Sequence, residues 1–139
     1  MPFLLDTCAV CEVITKKPDR AVITRIRTLP APETFLSSVT FGEIRLGIDL
    51  MKDSKRKDAL DFWLNHQLLP AYVHRTIPFG TEEALRWSQM QSQLIMAGLK
   101  MEIEDSFLAA TALTHNLTLV TRNEKDFAHC GIRVFNPWR

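Results

Sequence analysis

Short apolar runs alternate with amphipathic stretches along the whole chain. Short runs of apolar and β-branched residues bounded by turn-forming residues are typical of strands, whereas apolar residues three or four positions apart are typical of helices. By these criteria we expect strands at 3–5, 34–38, 74–78, 117–121 and 132–135. We expect helices at 8–16, at 20–29, from Thr40 onwards, between the polar joint 52–57 and Pro70, at 81–97 and at 103–115.

The alternation of strands with helices predicts the fold class. Parallel neighbours require a crossover connection, so strands that alternate with helices favour a parallel sheet. The chain has 139 residues, which fits one domain, and 46% of them are hydrophobic, which is enough to bury a core. We therefore expect one α/β domain over 1–139, with a central, mostly parallel sheet of four to five strands and helices on both faces.

Several residues mark expected helix ends. Asp19 is typical of an N-cap for the helix 20–29, and Gly98 suits a C-cap after 81–97. Thr40 and Glu43 have the spacing of a capping box, in which the Glu43 side chain would bond back to the start of its own helix. Pro70 is expected to end the preceding helix.

Charge and cysteine content narrow the classes of function only slightly. Lys and Arg total 17 and Asp and Glu total 16, so the net charge of +1 does not by itself indicate binding to nucleic acid. The basic residues at 20–27 and 52–57 are interpreted as solvated helix faces. The absence of a run of ~18 apolar residues excludes a membrane span, and three cysteines disfavour a disulfide scaffold, so a cytoplasmic protein is expected.

Four side chains with oxygen ligands flank the expected carboxyl ends of the strands. Asp6 ends the first strand, Glu43 lies about one turn into the helix after the second, Asp105 opens the helix 103–115, and Asn123 follows the fourth strand. Ligands bind at this edge of open α/β sheets, and we expect at least three of the four side chains there. Carboxylates combined with water and phosphate are the ligands that Mg²⁺ or Mn²⁺ prefers.

Each of these residues also has an ordinary structural explanation. Asp6 could be an N-cap, Glu43 part of a capping box, Asp105 a favourable charge in a first helical turn, and Asn123 a turn residue. Caps do not require several acids to meet at one sheet edge, so the joint pattern favours a metal site. Further candidates that the pattern does not select are Asp126, Glu102 and Glu104.

Four blocks and the C-terminal segment carry a resemblance to a known family. The blocks are residues 3–7, 35–47, 105–112 and 117–123, and the segment is residues 135–138. Together they resemble the PIN-domain ribonucleases, in particular the VapC and FitB branch. The resemblance spans essentially the whole chain. Each block alone is a weak signal, whereas the combination is specific.

The resemblance implies a Mg²⁺-dependent endoribonuclease, with Mn²⁺ as a substitute, that hydrolyses RNA phosphodiesters by a metal-activated water. It further implies the toxin of a type II toxin–antitoxin pair. Asp6, Glu43 and Asp105 would coordinate metal, and Asn123 would take the fourth catalytic position. Arg45 and Arg122 are expected to contact the substrate RNA.

The resemblance also implies partners for this chain. A small cognate antitoxin would inhibit the protein, operator DNA would be bound only through that antitoxin, and no membrane would be involved. A homodimer is expected, with a seam at the apolar residues Ile44, Ile48, Trp63 and Leu64.

Two alternatives remain open because Cys8 stands where the family usually has asparagine. A thiol lacks the hydrogen-bonding groups of an amide, so the chain could be a catalytically weak PIN-fold module that acts only in a complex with an antitoxin and operator DNA. Cys8 and Cys11 also have the CxxC spacing of thiol oxidoreductases, which is a weaker signal. A zinc site formed with His129 and Cys130 is disfavoured because adjacent ligands have poor geometry.

Overall fold

Five short strands form the centre of the computed structural model, which describes residues 1–139. The strands are β1 (Phe3–Leu5), β2 (Thr34–Ser37), β3 (Thr76–Ile77), β4 (Thr118–Val120) and β5 (Arg133–Phe135). They lie in the order β3-β2-β1-β4-β5, and every neighbouring pair is parallel. The expected α/β fold with a parallel sheet is confirmed.

Helices connect the strands and cover both faces of the sheet. They are α1 (Thr7–Cys11), α2 (Arg20–Arg27), α3 (Ser38–Asp49), α4 (Lys55–Trp63), α5 (Leu69–Ala71), α6 (Thr81–Met96) and α7 (Ile103–His115). Single 3₁₀ turns occupy Glu12–Ile14, Ala31–Glu33 and Glu124–Phe127, and a wide π-helical turn occupies Leu64–Leu68. No helix is both long and apolar enough to cross a bilayer.

The central strand β1 serves two separate cores. Successive side chains of a strand point to opposite faces, so Leu4 packs against α6 and α7 whereas Leu5 packs against α1 and α3. Leu119 and Val120 of β4 divide between the same two cores. All four side chains are at most 4% exposed, so the ends of β1 and β4 are held firmly from both sides.

The start of α3 corrects the expected capping box. The helix begins at Ser38, and the hydroxyl of Ser37 caps it by accepting a hydrogen bond from the backbone N–H of Val39 at 3.1 Å. Thr40 therefore lies inside the helix, where it is fully buried. Glu43 is no longer near the N-terminus and does not bond back to it, which leaves its carboxylate free for another role.

The helical region that precedes Pro70 ends at Ala71, one residue beyond the expected end. The backbone widens at Leu64–Leu68, where the N–H of Leu69 bonds to the carbonyl of Leu64, and helical structure continues to Ala71. Proline has no N–H to donate, and a widened turn accommodates that missing donor.

The proposed dimer seam is also corrected, because most of its residues lie in the monomer core. Ile44, Ile48 and Leu64 are 6%, 4% and 2% exposed, and Trp63 packs against the same core. These side chains fill the layer between the sheet and helices α1, α3 and α4. Ile44, Ile48 and Leu64 are therefore not available to a second subunit, whereas Trp63 is partly exposed.

The strand order places a crevice between β1 and β4. From β1 the chain proceeds outward through β2 and β3 on one side, and then crosses to β4 and β5 on the other side. Open α/β sheets bind ligands at the carboxyl ends of the strands where the order reverses in this way. Asp6 directly follows β1, and Thr121 directly follows β4.

Candidate metal centre

Asp6 is the buried anchor of the candidate site. It is 6% exposed, and its backbone N–H extends the β1–β4 pairing by donating to Val120 O at 3.0 Å. Its Oδ1 accepts from the backbone N–H of Thr7 at 2.7 Å, so Asp6 is also the N-cap of α1. Burial raises the pKa of Asp6 above its ordinary value, although the hydrogen bonds from Thr121 and Thr7 act in the opposite direction.

Thr121 holds Asp6 in place, a role that the sequence analysis did not assign to it. Its hydroxyl is completely buried and donates to Asp6 Oδ2 at 2.7 Å. The Thr121 hydroxyl oxygen also accepts from the backbone N–H of Asn123 at 3.1 Å, which ties the loop after β4 to the carboxylate after β1. The only available hint was a polar residue at the end of a buried strand, two positions before Asn123.

Glu43 reaches the same edge of the sheet from α3. Its Oε1 is buried and has no hydrogen-bond partner. Burial, followed by the negative charges of Asp6, Glu104 and Asp105, raises the pKa of Glu43 to about 7. A half-buried carboxylate among other carboxylates with an unsatisfied oxygen is a group that a cation would stabilise.

Asp105 comes from the first turn of α7 and joins this set. Burial, and then the charges of Asp6, Asp126, Glu102 and Glu104, raises the pKa of Asp105 to about 6. Because Asp6 acts on both Glu43 and Asp105, the three acids lie within electrostatic reach of one another. Residues that are 99 positions apart in the chain are thus brought to one end of the sheet.

Asn123 directly precedes the 3₁₀ turn that follows β4, and Asp126 lies within that turn. Asn123 is exposed, and its carbonyl accepts from the backbone N–H of Asp126 at 3.1 Å. Asp126 acts electrostatically on both Asp6 and Asp105 and shares a cavity with Asp105. Asp126 therefore faces the acidic edge, although the pattern of the four candidate ligands does not select it.

The acids form an open site rather than a closed cage. No group of three His, Cys, Asp or Glu side chains is close enough to hold a metal ion by itself. Mg²⁺ dehydrates reluctantly and usually binds through one or two carboxylates together with waters and substrate phosphates. The orphaned oxygen of Glu43 and the raised pKa values of three acids fit an ion held in that way.

The two arginines expected to contact substrate have different surroundings. Arg45 forms ion pairs with Asp49, at 3.0 Å, and with Asp61. These partners neutralise its charge and direct it towards α4, away from its expected role. Arg122 is exposed, and its guanidinium carbon lies 5.8 Å from the centroid of the Trp138 ring, which leaves its charge available beside the loop after β4.

The cysteines do not form a second site. Cys11 packs in the core on the α1 and α3 side of the sheet, whereas Cys130 packs in the core on the α6 and α7 side, which agrees with the expectation that they form no shared zinc site. Burial raises the pKa of Cys8, and it raises that of Cys11 to about 12. Both groups are therefore neutral thiols near pH 7, which is unfavourable for thiol–disulfide exchange. Cys8 Sγ lies 3.7 Å from the hydroxyl of Thr121.

The fold agrees with comparison to known proteins. The PIN domain family model matches residues 3–132, and the chain therefore belongs to the PIN-domain family. The family that the sequence resembles is thus confirmed.

Particular relatives place the chain more closely within the family. It is 33% identical to Toxin FitB of Neisseria gonorrhoeae over 135 residues, which cover 97% of each protein. It is 30% identical to VapC ribonuclease Y4jK of Sinorhizobium fredii over 135 residues, which cover 97% of this chain and 96% of that protein. The solved structure of FitAB bound to an IR36 DNA fragment matches with a TM-score of 0.92 at 31% identity, over 99% of this chain and 96% of that one.

Proposed function

We propose that this protein is a Mg²⁺-dependent endoribonuclease and the toxin of a type II toxin–antitoxin pair, with Mn²⁺ as an alternative ion. The observation that carries the proposal is the buried Oε1 of Glu43, which has no hydrogen-bond partner and lies near the carboxylates of Asp6 and Asp105 at the carboxyl ends of the strands. Membership of the PIN-domain family and similarity to a protein named as a VapC ribonuclease support it.

Asp6, Glu43 and Asp105 would hold the cation, with Asn123 or Asp126 completing the site from the loop after β4. When bound, a divalent cation supplies an activated water and neutralises charge that develops at the scissile phosphate. Thr121 orients Asp6 through the hydrogen bond to Oδ2 and fixes the loop that carries Asn123. The open side of the site leaves room for substrate phosphate oxygens among the ligands.

The proposed partners follow from the same relatives. A FitB-type protein is found in a complex named FitAB on a DNA fragment. By analogy, this chain would bind a small antitoxin and would reach operator DNA only through it. An arginine of the antitoxin could pair with the acidic edge and exclude the cation. A homodimer remains part of the proposal, with a seam other than the buried residues first expected.

Cleavage of RNA by the purified full chain tests the proposal. The wild type should cleave with Mg²⁺ or Mn²⁺ and should stop when EDTA is added. Asp6→Ala and Asp105→Asn should each lower the rate by roughly two orders of magnitude or more. Asp53→Asn, a change at an exposed acid before α4, should cleave like the wild type. Equal cleavage by all four proteins, or cleavage in EDTA, would refute the assignment.

The position of Cys8 favours one second candidate, a catalytically weak module that acts only within an antitoxin and DNA complex. Its thiol lies beside Thr121, where it cannot offer the hydrogen bonds of the usual amide. On this alternative the wild type binds the antitoxin but cleaves no RNA. Cys8→Asn should then create metal-dependent cleavage in the same assay.

A further inference from the structure

The acidic edge is bordered by basic side chains that have no acidic partner. Lys100, Arg122 and Lys125 form no ion pair within 4.0 Å. Other cations are already engaged: Arg45 is paired with two aspartates, and Arg139 pairs with Glu124 at 2.8 Å. The unpaired cations are the ones that remain able to bind an external anion.

These cations line two adjoining grooves that also contain acidic side chains of the site. The first contains Lys100, Asp105, Lys125 and Asp126 among its ten lining residues, of which four are apolar. The second has no apolar lining residue and contains Arg122, Asn123 and Asn136 together with the same Lys125 and Asp126. Because Lys125 and Asp126 belong to both grooves, the two grooves form one continuous track, which we call the phosphate track.

Lys125 occupies the middle of the phosphate track on a firmly held turn. It belongs to the 3₁₀ turn Glu124–Phe127, and the Phe127 side chain, 2% exposed, anchors that turn in the core. Asn123, which directly precedes this turn, donates its backbone N–H to the Thr121 hydroxyl, and that hydroxyl donates to Asp6. Backbone packing therefore sets the position of Lys125 relative to the acidic edge, while its side chain is exposed and forms no hydrogen bond.

We propose that the phosphate track binds the backbone of a single RNA strand, and that Lys125 contacts a phosphate next to the scissile one. Arg122 and Lys100 extend the contact in the two directions along the track. The inference deepens the proposed function and rests on it. It also replaces the expectation that Arg45 contacts substrate.

The charge distribution favours this occupant. A cluster of carboxylates repels a polyanion, so a phosphodiester chain needs cations beside the cluster in order to lie across it. A groove that carries unpaired cations suits a phosphodiester strand, whose phosphates are bound without regard to base sequence. A neutral small molecule has no use for a row of unpaired cations, and the second groove, which has no apolar lining residue, offers no contact to an apolar protein segment.

RNA binding by the full chain tests the inference. The proteins carry Asp6→Asn, a change at a buried residue outside the track, so that the RNA stays intact. Fluorescence anisotropy with a labelled single-stranded RNA gives Kd at several salt concentrations. Adding Lys125→Ala should weaken binding about three- to tenfold and reduce the slope of log K against log salt by about 0.7, the value for one phosphate contact. Lys125→Arg should restore both quantities.

Lys55→Ala is the matched control, since Lys55 is exposed and lies in the first turn of α4, outside the track. It should leave the affinity and the salt slope unchanged. In the chain without Asp6→Asn, Lys125→Ala should raise KM by the same factor as Kd and leave kcat unchanged, because it removes binding rather than chemistry.

The outcomes separate this inference from the proposed function. If the wild type cleaves RNA but Lys125→Ala behaves like Lys55→Ala, the inference is wrong and the nuclease assignment stands. If Lys125→Ala weakens binding to duplex DNA more than to RNA, the track serves DNA and the inference is also wrong. A wild type that binds no RNA overturns the inference, while its cleavage assay decides the function separately.

Discussion

The raised pKa of Glu43 leads to a prediction that does not depend on catalysis: Glu43→Gln should stabilise the metal-free protein. Its pKa rises from 4.5 to about 7 on folding, so the folded state binds the proton more tightly than the unfolded chain does. Stability is therefore lost as the pH rises from the lower value to the higher one, and stays low above it. Glutamine has no charge and escapes this penalty.

The magnitude follows from the size of the shift. At ~1.4 kcal/mol per pKa unit, the full shift would correspond to about 3 kcal/mol. Glu43 is only half-buried, and solvent screening reduces this to about 1–2 kcal/mol. We therefore expect Glu43→Gln to raise the free energy of unfolding by about 1–2 kcal/mol at pH 8 and by almost nothing near pH 4.5.

Urea unfolding in EDTA at the two pH values measures this difference directly. Glu82→Gln, at an exposed residue of α6, is the control and should have no pH-dependent effect. Adding Mn²⁺ should stabilise the wild type by mass action and stabilise Glu43→Gln less, because one ligand is weakened. A Glu43→Gln protein that is less stable than the wild type at pH 8 would show that no excess of negative charge exists at this edge.

Three further predictions concern the residues that support the site. Thr121→Val should lower the free energy of unfolding by about 1–3 kcal/mol and weaken Mn²⁺ binding, because it removes the donor to Asp6. Thr121→Ser keeps a hydroxyl donor and should restore both the stability, measured by urea unfolding, and the Mn²⁺ affinity, measured by calorimetric titration. Phe127→Ala should cost about 3–5 kcal/mol, whereas Phe62→Ala, at a side chain 57% exposed, should cost less than about 0.5 kcal/mol in the same unfolding assay. Glu83 accepts from Gly80 N at 2.8 Å and contacts His115 at 2.7 Å, and these bonds outweigh burial and lower its pKa below 4.5. The wild type should therefore be more stable than Glu83→Gln above pH 4.5, and this difference in the free energy of unfolding should shrink as the pH falls below 4.5. A difference that grows on acidification would contradict this account.

The candidate site was partly predictable because the residue types in the sequence show which side chains can coordinate a cation. Asp6, Glu43 and Asp105 stand out as acids placed next to strand or helix ends, and the structure brings them together. The capping-box interpretation of Glu43 was wrong, because local spacing does not reveal that Ser37 is the N-cap and that the helix begins at Ser38, two residues before Thr40. A cap depends on the first hydrogen bond of the helix, which the packing of β2 decides.

The basic residues illustrate the opposite case. The sequence predicts equally well that Arg45 and Lys125 are exposed and charged. Only the fold places Asp61 of α4 against Arg45, and leaves Lys125 without a partner in a groove beside Asp105. Whether a charge is available to a ligand depends on neighbours that are distant in the chain, so it cannot be read from local sequence.

The order of apolar and polar residues by itself determined the alternation of strands and helices, and hence the parallel sheet, because these patterns reflect the period of each element. It also determined which oxygen ligands the chain could offer. The tertiary structure alone decided that β1 lies beside β4, so that Thr121 reaches Asp6 at 2.7 Å, and that the expected dimer seam is buried. Strand order and side-chain neighbours arise from packing between distant segments, and such packing leaves no periodic trace in the sequence.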